Sequence, residues 1–487
     1  MLITRRHRPP VEVKGISLEH FDIAIIGTGS GNTILDERYA DKKVAICEQG
    51  VFGGTCLNVG CIPTKMFVYA AEVAQTVREA ARYGIDARID NVRWTDIVSR
   101  VFGRIDPLAI GGENYRRSSP NVTVYDSHAR FTGRSGDGYL LRTDAGDEFT
   151  ADQVVIAAGA RAMVPDAIAG CGVDVHTSDT IMRIPEVPEH LVIIGGGFVA
   201  AEFAHVFSSL GSRVTIVIRG AAMLSHCDDT ICERYTDIAG KKWEIRSHRN
   251  MTGAHLEGSQ TVVELDDGSE LHADVVLVAT GRKPNGDLMD VHNAGVKLDE
   301  DGLIVVDDYQ RTTARGIFAL GDVSSHYQLK HVANHEARVV RHNLLQDWDD
   351  TDALMYSDHR FVPSAVFTDP QIASVGLTEN EARAAGYKIN VKVQDYSDVA
   401  YGWAMEDNTG FAKIIVEQDS GTILGAHIMG HQASSLIQPL IQAMSFGLPG
   451  QEMARGQYWI HPALPEVIEN ALLALCGEPP WPPSRRH

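Results

Sequence analysis

Two cysteines in the segment Gly53-Gly54-Thr55-Cys56-Leu57-Asn58-Val59-Gly60-Cys61-Ile62-Pro63-Thr64-Lys65 carry the clearest chemical signal in the chain. On an ideal helix, cysteines five positions apart would stand with their Cα atoms roughly 8 to 9 Å apart, beyond the approximate 7 Å limit for a disulfide. A bond between them requires a distorted helix, which Gly60 and Pro63 permit, and a strained, partly exposed disulfide is the readily reduced kind. A zinc site would need further Cys or His at ligand spacing, and none is nearby. The plain alternative is two unpaired structural thiols, which leaves the surrounding glycines, proline and lysine without a shared purpose. After Lys65, the residues Met66, Ala70, Val73, Ala74 and Val77 fall on one apolar helical face, so Lys65 lies near the start of an amphipathic helix. Glu202 sits in Phe198-Val199-Ala200-Ala201-Glu202-Phe203-Ala204, apolar all round and hence buried, and a buried carboxylate needs a partner. Lys65 is the expected one.

Two glycine loops are placed to position such a centre. Residues 23–26, Ile-Ala-Ile-Ile, have the continuous apolar character of a buried parallel strand, and Gly27-Thr28-Gly29-Ser30-Gly31-Asn32 follows. Gly27 allows the tight turn, and Gly29 lets backbone amides reach a pyrophosphate at the N-terminus of the next helix. Glu48, closing a second apolar run, is placed to accept hydrogen bonds from a ribose. Asn32 replaces the third glycine of the motif, which loosens the demand for close packing of helix on sheet. The second loop, Gly195-Gly196-Gly197-Phe198-Val199-Ala200, matches G-x-G-x-x-A and precedes a helical stretch to Leu210. Its following strand ends in Ile218-Arg219 where an NAD site would place an acid. Arg219 suits the 2′-phosphate of NADPH; a solvated surface arginine is the alternative.

The chain has 487 residues, enough for several domains, and its 44% hydrophobic and 22% charged residues are those of a folded globular protein. With 44 Lys plus Arg against 64 Asp plus Glu, its formal charge of −20 makes nucleic acid a poor partner. Seven cysteines are too few for a disulfide scaffold and suit a reducing cytoplasm. Arg5 and Arg6 are not followed by the apolar stretch of an export signal, and the longest apolar stretch, residues 191–207, is interrupted by Gly195, Gly196, Gly197, Glu202 and His205. No membrane segment is expected. Four prolines in residues 477–487 indicate an exposed tail, and Cys476 reads as a core thiol on the last helix.

Taken together, these motifs resemble the class I pyridine nucleotide-disulfide oxidoreductases over nearly the whole chain. Ile156-Ala157-Ala158-Gly159 resembles the family's exit from its first flavin segment, and Ala279-Thr280-Gly281-Arg282-Lys283-Pro284-Asn285 its return from the nicotinamide domain. Ile317-Phe318-Ala319-Leu320-Gly321-Asp322 resembles the second flavin segment, and His461-Pro462-Ala463-Leu464-Pro465-Glu466 the acid–base motif. The resemblance implies an α/β fold with two Rossmann-like units, for FAD and NADPH, and a C-terminal α+β dimerisation domain. The implied divisions are an N-terminal extension (1–17), the first FAD part (18–165), the NADPH unit (166–283), the central FAD part (284–356), the interface domain (357–478) and a tail (479–487). Catalysis is expected from Cys56, Cys61, Lys65, Glu202, His461 and Glu466, with His461 working across a homodimer. Cofactor contacts are expected from Gly27, Gly29, Glu48, Thr55, Lys65, Gly159, Gly195, Gly197, Arg219, Gly281 and Asp322. The family's NADPH enzymes usually place a second arginine six positions beyond the one matched by Arg219; Ser225 stands there, followed by His226.

Within the family, Cys47-Glu48-Gln49-Gly50, Lys65-Met66-Phe67-Val68-Tyr69-Ala70-Ala71-Glu72, His331-Val332-Ala333-Asn334-His335-Glu336-Ala337-Arg338 and Ala400-Tyr401-Gly402-Trp403-Ala404-Met405-Glu406-Asp407 are similar to the branch that reduces mycothione to mycothiol. The redox segment alone would equally suit a dihydrolipoamide dehydrogenase, against which Arg219 argues. A flavin- and nicotinamide-binding sensor without turnover is the alternative outside catalysis, and intact Cys56, Cys61, His461 and Glu466 argue against that.

Overall fold

The computed structural model describes residues 18–136 and 138–475. The expected N-terminal extension, the tail and Cys476 lie outside them. The first unit is built on β1 (Glu19–Ile26), β2 (Val44–Cys47), β3 (Val122–Tyr125), β4 (Ala129–Ser135), β5 (Gly138–Thr143) and β6 (Glu148–Ile156), in sheet order β3-β2-β1-β6-β5-β4. Ile23, Ala24, Ile25 and Ile26 are all buried, because β1 runs between parallel neighbours β2 and β6 with both faces covered. Strand β6 divides its pairing. Its first half is antiparallel to β5, and its second half is parallel to Ile317–Ala319, which brings the distant segment of Asp322 to the end of β1.

The connection from β1 to β2 corrects one expectation. No α-helix follows the first glycine loop; residues 27–43 contain only two three-residue 3₁₀ turns, Gly31–Thr33 and Glu37–Tyr39. The backbone there is close against β6's end: a Cβ on Gly27 would stand 2.3 Å from the Ala157 carbonyl oxygen, and one on Gly31 2.8 Å from Ala157 Cβ. The loop's packing therefore comes through Gly31, not through the motif position that Asn32 fills.

Helix α1 (Gly54–Asn58) and helix α2 (Cys61–Glu79) carry the redox segment, and α3 (Trp94–Ser118) covers them. The buried face of α2 differs from the expected stripe. Phe67, Val68, Ala71 and Ala74 are buried, whereas Val73 is exposed. Phe67 packs 5.1 Å from the Trp94 ring and 6.3 Å from that of Phe102, so bulk aromatic contact fixes the helix's rotation.

The second unit has a parallel sheet in the order Glu244–Arg246, Arg213–Val217, His190–Ile194, Val275–Val278, with helix Phe198–Leu210 crossing from the second glycine loop. The chain enters and leaves it beside an antiparallel pair, Ala160–Ala162 with Arg282–Pro284. Past the central segment, a five-stranded antiparallel sheet runs from Ser364–Val366 at one edge to Ile389–Asp395 at the other, with helix Glu466–Leu475 packed on its far strands. The chain is thus an α/β protein with two Rossmann-like units and a C-terminal α+β domain.

Candidate active site

Between the cysteines the helix is broken, not bent. Helix α1 stops at Asn58, Val59 and Gly60 leave helical geometry, and Cys61 opens α2. A Cβ on Gly60 would lie 2.9 Å from the Thr55 carbonyl oxygen, so the break needs glycine. Pro63 takes no part in it, lying in the first turn of α2 where its missing N–H loses no helical bond. The Asn58 amide donates to the carbonyls of Phe52 and Gly54 at 2.9 and 3.0 Å, which fixes the approach to Cys56. At Gly54 a Cβ would come within 2.7 Å of Gly29 Cα: the redox helix starts in contact with the first glycine loop.

Both sulfurs carry free thiols, joined by a hydrogen bond. They divide the charge unequally. Cys61 is lowered to about 7, first by the hydrogen bond from Cys56 and further by the nearby Lys65 ammonium, against the opposing effect of burial. Cys56 is pushed far up by the same hydrogen bond and by burial. Cys61 also stands at the N-terminus of a 19-residue helix, whose dipole favours a thiolate. One sulfur is set to hold charge and the other to hold a proton.

The structure brings Lys65 and Glu202 together. Lys65 Nζ donates to both carboxylate oxygens at 2.7 Å, and the Phe367 N–H donates to Glu202 Oε1 at 2.9 Å. The carboxylate is 4% exposed and the lysine 35%, so the ammonium is open to the cavity while its counter-charge is not. The Phe367 ring lies 4.7 Å from Nζ.

These groups line a cavity of about 510 Å³ that also contains Gly27, Gly29, Glu48, Thr55, Gly159 and Asp322. That size is within the roughly 300–1,000 Å³ common for cofactor pockets. The residues fit FAD. Gly29 presents open backbone: a Cβ there would meet nothing closer than Gly54 Cα at 3.9 Å. Asp322 accepts no side-chain hydrogen bond among the described residues; burial pushes its carboxyl up, and it faces the space where sugar hydroxyls would donate to it. Glu48 is already engaged, accepting from Thr28 N and Oγ1 at 2.9 and 2.6 Å and from Gly50 N at 2.8 Å, which fixes its carboxylate at the cavity wall. Sequence reasoning missed Lys330 and Arg282, both lining this cavity: Arg282 stands beside Gly281 in a motif read for its glycine, and Lys330 arrives from a segment remote from the loop.

In the second loop a Cβ on Gly195, at φ +127°, would meet the Ala279 carbonyl oxygen at 2.2 Å, while Gly197 has nothing within 4 Å and leaves room for a phosphate. The Leu224 N–H donates to the Gly196 carbonyl at 2.7 Å, folding the segment after Arg219 back over the loop. Arg219 is exposed with no ion pair among the described residues. Gly281, at φ +131°, lies at the return crossing. His461 Nδ1 donates to Glu466 Oε1 at 2.6 Å, and the Ala463 N–H donates to Oε2 at 3.0 Å. Burial raises the Glu466 carboxyl, but these two bonds outweigh it and hold it below the usual range. His461 is 72% exposed and does not line the cysteine cavity of its own chain.

Residues 21–337 match the family described as pyridine nucleotide-disulphide oxidoreductase, and residues 362–472 match its dimerisation domain. A mycothione reductase of Mycobacterium tuberculosis (strain ATCC 25618 / H37Rv) is 70% identical over 459 residues, covering 94% of this chain and 100% of that protein. A dihydrolipoyl dehydrogenase of Corynebacterium glutamicum is 31% identical over 474 residues, covering 94% and 98%. Among solved structures, the HOCl-induced flavoprotein disulfide reductase RclA from Escherichia coli aligns with a TM-score of 0.81 at 28% identity, covering 94% of this chain and 100% of that one. Among the described residues no helix is long and apolar enough to cross a membrane.

Proposed function

The chain belongs to the pyridine nucleotide-disulphide oxidoreductase family, and from that premise we propose that it is an NADPH-dependent flavoprotein that reduces mycothione to mycothiol, working as a homodimer in the cytoplasm. The observation that carries this reading is the Cys56–Cys61 pair, unequal in charge, facing a cavity shared with Lys65, Asp322 and the first glycine loop. The choice of mycothione rests on the 70% identity to the mycobacterial enzyme.

Bound FAD supplies a two-electron relay from NADPH to the Cys56–Cys61 disulfide. Gly195, Gly197 and Arg219 hold NADPH by its phosphates. Lys65, its charge buffered by Glu202, favours negative charge at the flavin and at Cys61. In the reduced pair Cys61 retains the thiolate, while Cys56, whose proton is held tightly, needs a base before it can attack. His461 of the partner subunit takes that proton, with Glu466 of the partner subunit fixing its tautomer. Cys56 sulfur then bonds to one sulfur of mycothione, and the departing mycothiolate takes the proton back. The Cys61 thiolate attacks the Cys56 sulfur and breaks the mixed disulfide, expelling the second half as a thiolate that takes a proton from solvent, so one mycothione, the thiol–thiolate pair and one proton yield two mycothiols and the oxidised pair.

Steady-state assays with mycothione, lipoamide and glutathione disulfide, each with NADPH and NADH, test the proposal. Mycothione with NADPH is expected to give the highest kcat/KM. Faster turnover of lipoamide with NADH would overturn it.

A further inference from the structure

We propose that Lys330 binds the pyrophosphate of FAD, taking the place of the helix N-terminus that this chain lacks after its first glycine loop. The inference rests on the flavoprotein reading above and concerns a residue outside the motifs that support it.

A dinucleotide loop ordinarily sets the pyrophosphate's charge against the N-terminus of the following helix. Here only the three-residue turn Gly31–Thr33 follows, too short to sum peptide dipoles along an axis. The −2 charge of a pyrophosphate still needs positive charge, and it comes from elsewhere in the fold. Lys330, the first residue of helix Lys330–Asn343, reaches across the cavity so that its Nζ donates to Ser30 Oγ at 2.8 Å. Ser30 is a buried residue of the loop itself, and its hydroxyl in turn donates to Asn334 Oδ1, one turn along the same helix, at 3.2 Å.

The ion pairs around the cavity single out the same residue. Four cations line it. Lys65 pairs with Glu202, Arg161 with Asp287 and Arg282 with Asp179, at 2.7, 2.8 and 4.0 Å. Lys330 has no carboxylate at ion-pair distance among the described residues, and a half-buried ammonium without one calls for an anion. Behind the loop, Arg116 is 8% exposed, also has no carboxylate partner among the described residues, and donates through Nε to Asn32 Oδ1 at 2.7 Å and through Nη2 to the Asn32 carbonyl. It acts through Asn32 as a positioning residue, holding the loop that Lys330 meets from the other side.

The test uses the FAD-loaded protein and its Lys330→Met and Lys330→Arg variants, dialysed against rising KCl with released flavin read by fluorescence. Lys330→Met is expected to release FAD at a concentration ratio roughly tenfold to a hundredfold less favourable to binding, the span of one charge-assisted hydrogen bond, and Lys330→Arg to retain most of the affinity. ³¹P resonances of bound FAD should move in Lys330→Met while the flavin absorption spectrum does not. Should Lys330→Met fail to fold, Lys330→Gln, which keeps a donor without the charge, is expected to show the same loss. Undiminished FAD retention in the charge-removed variant, or an altered flavin spectrum with unmoved ³¹P resonances, would overturn the assignment. Failure of the unaltered protein to hold FAD at all would instead refute the flavoprotein reading.

Discussion

Replacing Lys65 with Met tests whether the ammonium, and not the cysteine pair alone, sets the charge on Cys61. The side chain keeps its length and loses its charge. In the native arrangement Cys61 is lowered to about 7, the Cys56 hydrogen bond contributing most and Lys65 next. An opposite charge nearby is worth about 1 to 3 pKa units. Glu202, bonded to Nζ at 2.7 Å, offsets much of this one, so the loss belongs at the low end, about one unit. The thiolate fraction of Cys61 at pH 7 then falls from about one half to about one tenth. Alkylation of Cys61 by iodoacetamide in the reduced protein, followed by mass spectrometry of its peptide across pH, should show a midpoint raised by about one unit from the native value of about 7. The rate at pH 7 should fall about fivefold, less a small gain because the more basic thiolate is the stronger nucleophile. Lys65→Arg should restore the native midpoint. An unmoved midpoint in Lys65→Met would refute the electrostatic role, leaving the hydrogen bond from Cys56 as the whole cause.

Cys56→Ser should abolish disulfide turnover while leaving flavin reduction by NADPH intact, as seen by anaerobic bleaching of flavin absorbance; retained full turnover would refute its role as the attacking sulfur. His461→Ala should lower kcat by about 10²- to 10⁴-fold, and mixing this variant with Cys56→Ser should restore part of the activity in heterodimers; no recovery would count against sites shared between subunits. Lys413→Met should destabilise the fold by about 3 to 5 kcal/mol in urea unfolding, since it strands the Asp228 carboxylate, 1% exposed and bonded to Nζ at 2.8 Å, where the second Rossmann unit meets the C-terminal sheet. Burial raises Asp228, but Lys413 and the Glu379 N–H hold it below its ordinary value. Its stabilisation is therefore present at neutral pH and lost as pH falls through the folded-state value, a dependence that Lys413→Met should flatten.

What is legible in the sequence is what contiguous residues determine. Gly27 and Gly195 mark turns whose positive φ lies in their own backbone, Gly29 and Gly197 leave the room a phosphate needs, and the break between Cys56 and Cys61 is written in Gly60. Glu202 is readable because a carboxylate in an apolar helix has few fates. What stays hidden depends on partners remote in the chain. The face of α2 is set by Trp94 and Phe102, not by the apolar count of its own residues. Ser30 and Lys330 stand 300 positions apart, and nothing local to either announces the other. Asn32 signals a departure after β1, but in the sequence it points only to a looser contact where the helix itself is missing, because a single position cannot reveal that Arg116 will grip it.

The formal charge of −20 sharpens the problem that the site must solve. Two anionic cofactors are expected in an acidic protein, whose long-range field opposes their approach. A large surplus of basic residues is not used to overcome it: around the cysteine cavity Lys65, Arg161, Arg282 and Lys330 are matched in number by Glu48, Asp179, Glu202 and Asp322. What differs is access. Glu202 is buried behind Lys65, and Glu48 already accepts three hydrogen bonds from Thr28 and Gly50, whereas the Lys65 ammonium remains open to the cavity and Lys330 touches only a hydroxyl. Positive charge is thus presented and negative charge withdrawn within a nearly neutral site. At physiological ionic strength the Debye length is about 8 Å, so these short-range placements outweigh the remote acidic surface once a cofactor is seated. Binding strength should accordingly respond far more to Lys330 than to any exposed acid on the outer face.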